Sequence, residues 1–134
     1  MPAEILHTSP IERIVAHLVD QVRGATKAEQ TSWKNSLPRL AEDLVEAGLG
    51  QVELLIESQF LDRSRTDVVL AGVDHNGRDT YVAVELKRWR SAQLCEDDPD
   101  HVRVPSLQKN PRHPLVQVRG YCHGPGVEGF CPAC

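Results

Sequence analysis

The feature that most constrains this chain is a change of hydrophobic period at Gly48 and Gly50. Upstream, apolar residues recur at helical spacing. Ile11, Ile14, Val15, Leu18, Val19 and Val22 form one stripe, which predicts a helix over 10–23 with Ser9 as cap and Pro10 in its first turn. Gly24 ends it. Trp33, Leu37, Leu40, Leu44 and Ala47 form a second stripe, running from the region of Lys27 to Thr31 as far as Ala47. Pro38 falls inside it and leaves two readings, one kinked helix or two short ones. Gly48 and Gly50 then supply a C-cap and turn. Downstream the period drops to two. Val52, Leu54 and Ile56 alternate with Glu53, Leu55 and Glu57, which predicts a strand to about Phe60.

Two more strands follow, over 66–73 and 80–88, around a turn at 74–79 marked by Asn76-Gly77. On the last strand Glu85 and Lys87 share one face, while Val82, Val84 and Leu86 share the other. An acid and a lysine two apart on an apolar strand point to chemistry. A register with Val68 opposite Val84 and Leu70 opposite Val82 builds one apolar layer and sets Asp67 opposite Glu85. A strict two-residue Asn76-Gly77 turn would shift the pairing and send Asp67 to the wrong face. The register therefore requires a longer loop or a bulge within 74–79.

Two carboxylates held together repel, and a divalent cation relieves the repulsion. Mg²⁺ is the hard, oxygen-seeking choice, with Mn²⁺ as substitute, and Lys87 would assist a water nucleophile. The same grouping fits a cross-strand salt bridge from Lys87 to Asp67 or Glu85, so spacing alone leaves both readings open. Glu57 reads either as a further partner of the site or as a sheet-edge charge, and Glu42 as a solvated helix residue. Trp33 and Trp89 read as packing residues, and His75, His101 and His113 as solvent-exposed.

With 134 residues the chain suits one domain over 1–121 and a tail over 122–134. A net charge of −4 argues against binding nucleic acid mainly through bulk electrostatics, and does not exclude a nuclease whose metal ions supply positive charge. The sparse aromatics argue against a stacking platform for single strands. No apolar run spans a membrane and no signal peptide is evident, which predicts a cytoplasmic protein with reduced cysteines. Residues 91–113 read as a polar, Pro-rich connection with at most a short extended piece at His101 to Val104, and 114–121 as a helix beginning at Pro114. The tail holds Cys122, His123, Cys131 and Cys134, which read either as a zinc knuckle or as part of an unstructured ending.

Asp67 followed by Glu85-Leu86-Lys87 resembles the motif of the PD-(D/E)XK, or restriction-endonuclease-like, superfamily, with Thr66 in place of a Pro that is often absent there. The wider pattern comprises Ser32 to Pro38, Glu57, Arg65 to Leu70, Val84 to Trp89 and His113 to Tyr121. It is similar to the N-terminal region of proteins in the Schlafen group 3-like DNA/RNA helicase family. The resemblance implies an α/β fold, with N-terminal helices on a short mixed sheet. It implies Mg²⁺-dependent hydrolysis of phosphodiester bonds in DNA, with Asp67 and Glu85 as metal ligands and Lys87 and Gln117 completing the catalytic set. An inactive nucleic-acid-binding or assembly module is the alternative. The superfamily core continues past the helix bearing Gln117, whereas this chain turns Gly/Pro/Cys-rich at Cys122, which reads either as a truncated core or as a different ending. The helicase domain expected in that family has no Walker-type motif here.

Overall fold

The computed structural model describes residues 1–59 and 65–122. The elements run α1 (Ala3–Thr8), α2 (Ile11–Gln21), α3 (Lys27–Glu46), β1 (Glu53–Gln59), β2 (Arg65–Val73), β3 (Asp79–Val84), β4 (Gln93–Leu94), β5 (Val102–Arg103) and α4 (Pro114–Cys122). This is a mixed α/β arrangement. Among the described residues every strand pairing is antiparallel, in a three-stranded sheet ordered β1-β2-β3 and a two-stranded sheet β4-β5, where the resemblance implies a mixed sheet. No helix among the described residues is long and apolar enough to cross a membrane.

The helices follow from their caps and stripes. Thr26 accepts the Glu29 N–H while the Glu29 carboxylate accepts from Thr26 N–H, a capping box that starts α3. Pro38 does not divide α3, which runs as one helix of 20 residues. At its far end Leu49 N–H bonds to Leu44 C=O and Gly48 N–H to Val45 C=O, with Gly48 at φ +76°. This Schellman motif favours glycine, and it turns the chain towards β1. Ser9 does not cap α2 as its sequence position suggests. It closes α1, a short helix that hydrophobic period does not reveal, and Pro10 stands at the N-cap of α2. The last turn of the α2 stripe also differs, since Val19 faces solvent.

One core fills the space between these helices and one face of the sheet. Leu6, Ile14, Val15, Leu18, Trp33 and Leu37 meet Leu54 and Val68, with Ile56, Leu70, Val84 and Leu86 packed against them. Burying a side chain such as Leu37 or Val68 contributes about 1.5–3 kcal/mol. The register is Val68↔Val84 and Leu70↔Val82, the pairing the apolar pattern requires. Val82 nonetheless lies beyond the helices and is 51% exposed. The turn accommodates this register by being longer than Asn76-Gly77 alone. Asp74 N–H bonds to Arg78 C=O, Gly77 N–H bonds to Asp74 C=O, and Gly77 sits at φ +77°. The Asp74 carboxylate accepts the backbone N–H groups of Asn76 and Arg78 and the Arg78 guanidinium.

Two further expectations change. β3 stops at Val84 rather than Arg88, because Leu86 N–H is taken by a side chain instead of the ladder. The connection over 91–113 contains the β4-β5 pair and a bridge between His101 and Arg112. His113 N–H bonds to Asp100 C=O, which ties this excursion to the start of α4.

Candidate active site

The β2–β3 pairing ends at Val68 and Val84, so Asp67, still within β2, and Glu85 lie side by side one residue past it. The Asp67 Oδ2 accepts Leu86 N–H at 2.7 Å, just past the last paired residues. Burial pushes the Asp67 carboxyl above its usual range, and the neighbouring Glu85 charge adds to this. The Leu86 N–H, Lys87 and Arg65 oppose the shift. The Glu85 side chain is only 7% exposed and both its oxygens are engaged. Oε1 takes the Lys87 ammonium at 2.5 Å and Oε2 takes the Tyr121 hydroxyl at 3.0 Å. Lys87 is 26% exposed, with its ammonium 5.7 Å from the centre of the Trp89 ring.

α4 closes the site from the other side. Pro114 opens its first turn, and the His113 ring nitrogen accepts Leu115 N–H, so His113 caps the helix rather than standing free in solvent. Gln117 and Tyr121, one turn apart on this helix, both line the cavity that contains Asp67 and Glu85. The cavity measures about 300 Å³. Its opposite wall is the first half of α3, through Glu29, Ser32, Trp33 and Ser36.

A third acid enters from β1. Glu57 has φ +54°, a left-handed conformation that costs a non-glycine residue about 1–2 kcal/mol. Its side chain is 10% exposed. It accepts the Trp33 indole N–H at 2.6 Å and pairs with Arg65 at 3.6 Å. Burial raises the Glu57 carboxyl above its usual range, against the lowering effects of Trp33 and Arg65. Arg65 also reaches Glu29 at 3.4 Å, so it links α3, β1 and β2 at the cavity wall. Glu57 is thus not a free sheet-edge charge, since it lines the cavity and is held by Trp33 and Arg65. Trp33 is a core residue, as expected, with an additional polar role.

The fold therefore gathers Asp67, Glu85 and Gln117 at one cavity, with Lys87 attached through Glu85. Glu42 stays on the outer face of α3, paired with Arg39. Sequence reasoning missed Tyr121 and Arg65 as site residues, though both left a signal. Tyr121 stands four residues after Gln117 on a helix, and Arg65 two residues before Asp67 on a strand, so each shares a face with an identified residue. Thr66, just before Asp67, is fully buried with its hydroxyl unbonded among the described residues.

Among the described residues no three of His, Cys, Asp or Glu are grouped closely enough to hold a metal ion. The Cys122 side chain, His123, Cys131 and Cys134, the zinc candidates, lie outside what is described. No family model, no curated protein and no solved structure matches the chain.

Proposed function

We propose that this cavity is a phosphodiesterase site of the PD-(D/E)XK, restriction-endonuclease-like type. In this reading it hydrolyses DNA with Mg²⁺ or Mn²⁺, as the nuclease portion of a helicase-nuclease protein. The observation that carries the reading is the convergence, at the open end of one hairpin, of a half-buried Asp67, an ion-paired Glu85–Lys87 couple and Gln117. A structural strand end gains little from two acids sharing a cavity, and strained or charge-frustrated positions cluster at functional sites.

The donor set suits a hard divalent cation. Mg²⁺ commonly uses only one or two carboxylates, with water and substrate oxygens completing its shell, so a pair of acids suffices. Asp67 and Glu85 would hold it, and when bound it supplies Lewis-acid polarisation of the phosphoryl group and a more acidic water. The chain's own residues supply the rest. The Leu86 N–H fixes the orientation of the Asp67 carboxylate, and the Tyr121 hydroxyl fixes that of Glu85. Lys87 offsets negative charge as it develops on the phosphoryl oxygens and orients the attacking water. Gln117 brings an amide with both donors and an acceptor to the same cavity.

One observation favours a second reading, a non-enzymatic nucleic-acid-binding or assembly module. Both Glu85 oxygens already have protein partners, so the acids are satisfied without a cation. Titrating Mg²⁺ or Mn²⁺ against a labelled DNA substrate separates the two. Cleavage that depends on the metal and drops by about 10²- to 10⁴-fold in Lys87→Ala supports the enzyme. Absence of cleavage by the parent chain, or equal rates in parent and Lys87→Ala, rejects it.

A further inference from the structure

We infer that a nucleic-acid strand leaves the acidic cavity along a trough between α3 and the segment following β3, where Arg39 and Arg88 hold its phosphate backbone. The inference rests on the phosphodiesterase reading above and adds the path of the substrate.

Ser36 and Leu86 line both the acidic cavity and a second one of about 390 Å³, so the two cavities abut along these residues. The charge reverses across that boundary. On the first side stand four carboxylates, Glu29, Glu57, Asp67 and Glu85, against Arg65. On the second side Arg39, Lys87 and Arg88 line the trough with one acid, Asp43, while Lys87 stays paired with Glu85 across the boundary and Arg39 also pairs with Glu42. A cavity rich in carboxylates repels the phosphates flanking a scissile bond. Those flanking phosphates need cations beside it, and the trough supplies them.

The individual side chains suit this role. Arg39 is 70% exposed and reaches Glu42 at 3.0 Å and Asp43 at 3.1 Å on its own helix. Exposed pairs of this kind contribute little and are readily exchanged for a phosphate, which a guanidinium fork grips with two parallel bonds. Arg88 is exposed and has no salt-bridge partner among the described residues. It follows Lys87 directly, so a strand whose scissile phosphate lies near Lys87 meets Arg88 next. Arg39 lies one helical turn beyond Ser36, on the same face of α3. Leu40 and Leu86 give the trough an apolar floor between the cations.

The test is the salt dependence of binding, measured in EDTA so that no metal-dependent cleavage takes place. Fluorescence anisotropy of a labelled single-stranded oligonucleotide, with DNA and RNA in parallel arms, gives the slope of log affinity against log salt. Each phosphate contact on a single strand contributes about 0.7 to that slope. Arg39→Ala/Arg88→Ala should therefore flatten it by about 1.4, and Arg39→Lys/Arg88→Lys should restore most of the difference. Arg13→Ala, on α2, should leave the slope unchanged. Equal slopes for the double alanine variant and Arg13→Ala overturn the trough, as does failure of the parent to bind either strand. If the slope changes as expected and the parent never cleaves with metal, the phosphodiesterase reading falls and the binding trough stands. If cleavage is intact and the slopes are equal, the trough alone falls.

Discussion

The β2–β3 hairpin carries an aspartate at each end, and the two are held in opposite ways. Asp74, at the turn, has a partly exposed side chain that accepts two backbone N–H groups and a guanidinium, which together hold its carboxyl below the usual range. Asp67, at the other end, is half-buried, accepts one N–H and sits near a second carboxylate, and desolvation first and that neighbour second raise its carboxyl. The surroundings of Asp74 favour its charge and so favour the folded turn. The surroundings of Asp67 disfavour its charge, which folding alone gives no reason to tolerate. The difference separates an acid that builds the fold from one the fold is spending stability to keep.

The largest expected contrast lies in activity. If the proposed reaction is correct, Asp67→Ala lowers metal-dependent cleavage by about 10²- to 10³-fold, whereas Asp74→Ala leaves the rate unchanged when both are assayed well below their melting temperatures. Equal losses in both variants would erase the distinction between the two ends. The second contrast reverses the roles. Gly77→Ala forces a left-handed φ on a residue with a Cβ and should cost about 1–2 kcal/mol in urea denaturation, with the cleavage rate per folded molecule preserved.

The smallest effect is a difference of sign with pH. Asp74 has a folded pKa below its ordinary 3.8, so its contribution to stability is present above that value and is lost as pH falls through the folded one. Asp67 has a folded pKa above 3.8, so its effect runs the other way. The folded state holds its proton longer, and stability declines as pH rises from 3.8 through the folded value. As pH rises, the melting temperature should therefore fall relative to the parent for Asp74→Asn, below 3.8, and rise relative to it for Asp67→Asn, above 3.8. At neutral pH the first should melt lower than the parent and the second higher.

Much of this arrangement is legible in the sequence because the hairpin is self-checking. Val68, Leu70, Val82 and Val84 admit one register that stacks apolar residues together, and that register fixes the side of the sheet on which Asp67 and Glu85 lie. What could not be read depends on partners far along the chain. α1 has only six residues, and Ala3 N–H and Glu4 N–H bond to the carbonyls of Val52 and Gly50. β4 and β5 are two residues each, too short for alternation to register. Glu57 leaves the regular strand conformation, so period alone could not say that it turns to Trp33 and Arg65. β3 ends at Val84 because Leu86 N–H bonds to a side chain, and no pattern of apolar residues records that.

That bond, from Leu86 N–H to the Asp67 carboxylate, has a consequence for the whole hairpin. A rung made from two backbone groups is indifferent to protons and ions. This rung is not, because its acceptor weakens when it is protonated or shares its lone pairs. Leu86 also packs against the main core, so any loosening is felt where the helices meet the sheet. The exchange rate of a single amide proton thus becomes a gauge of what the cavity contains.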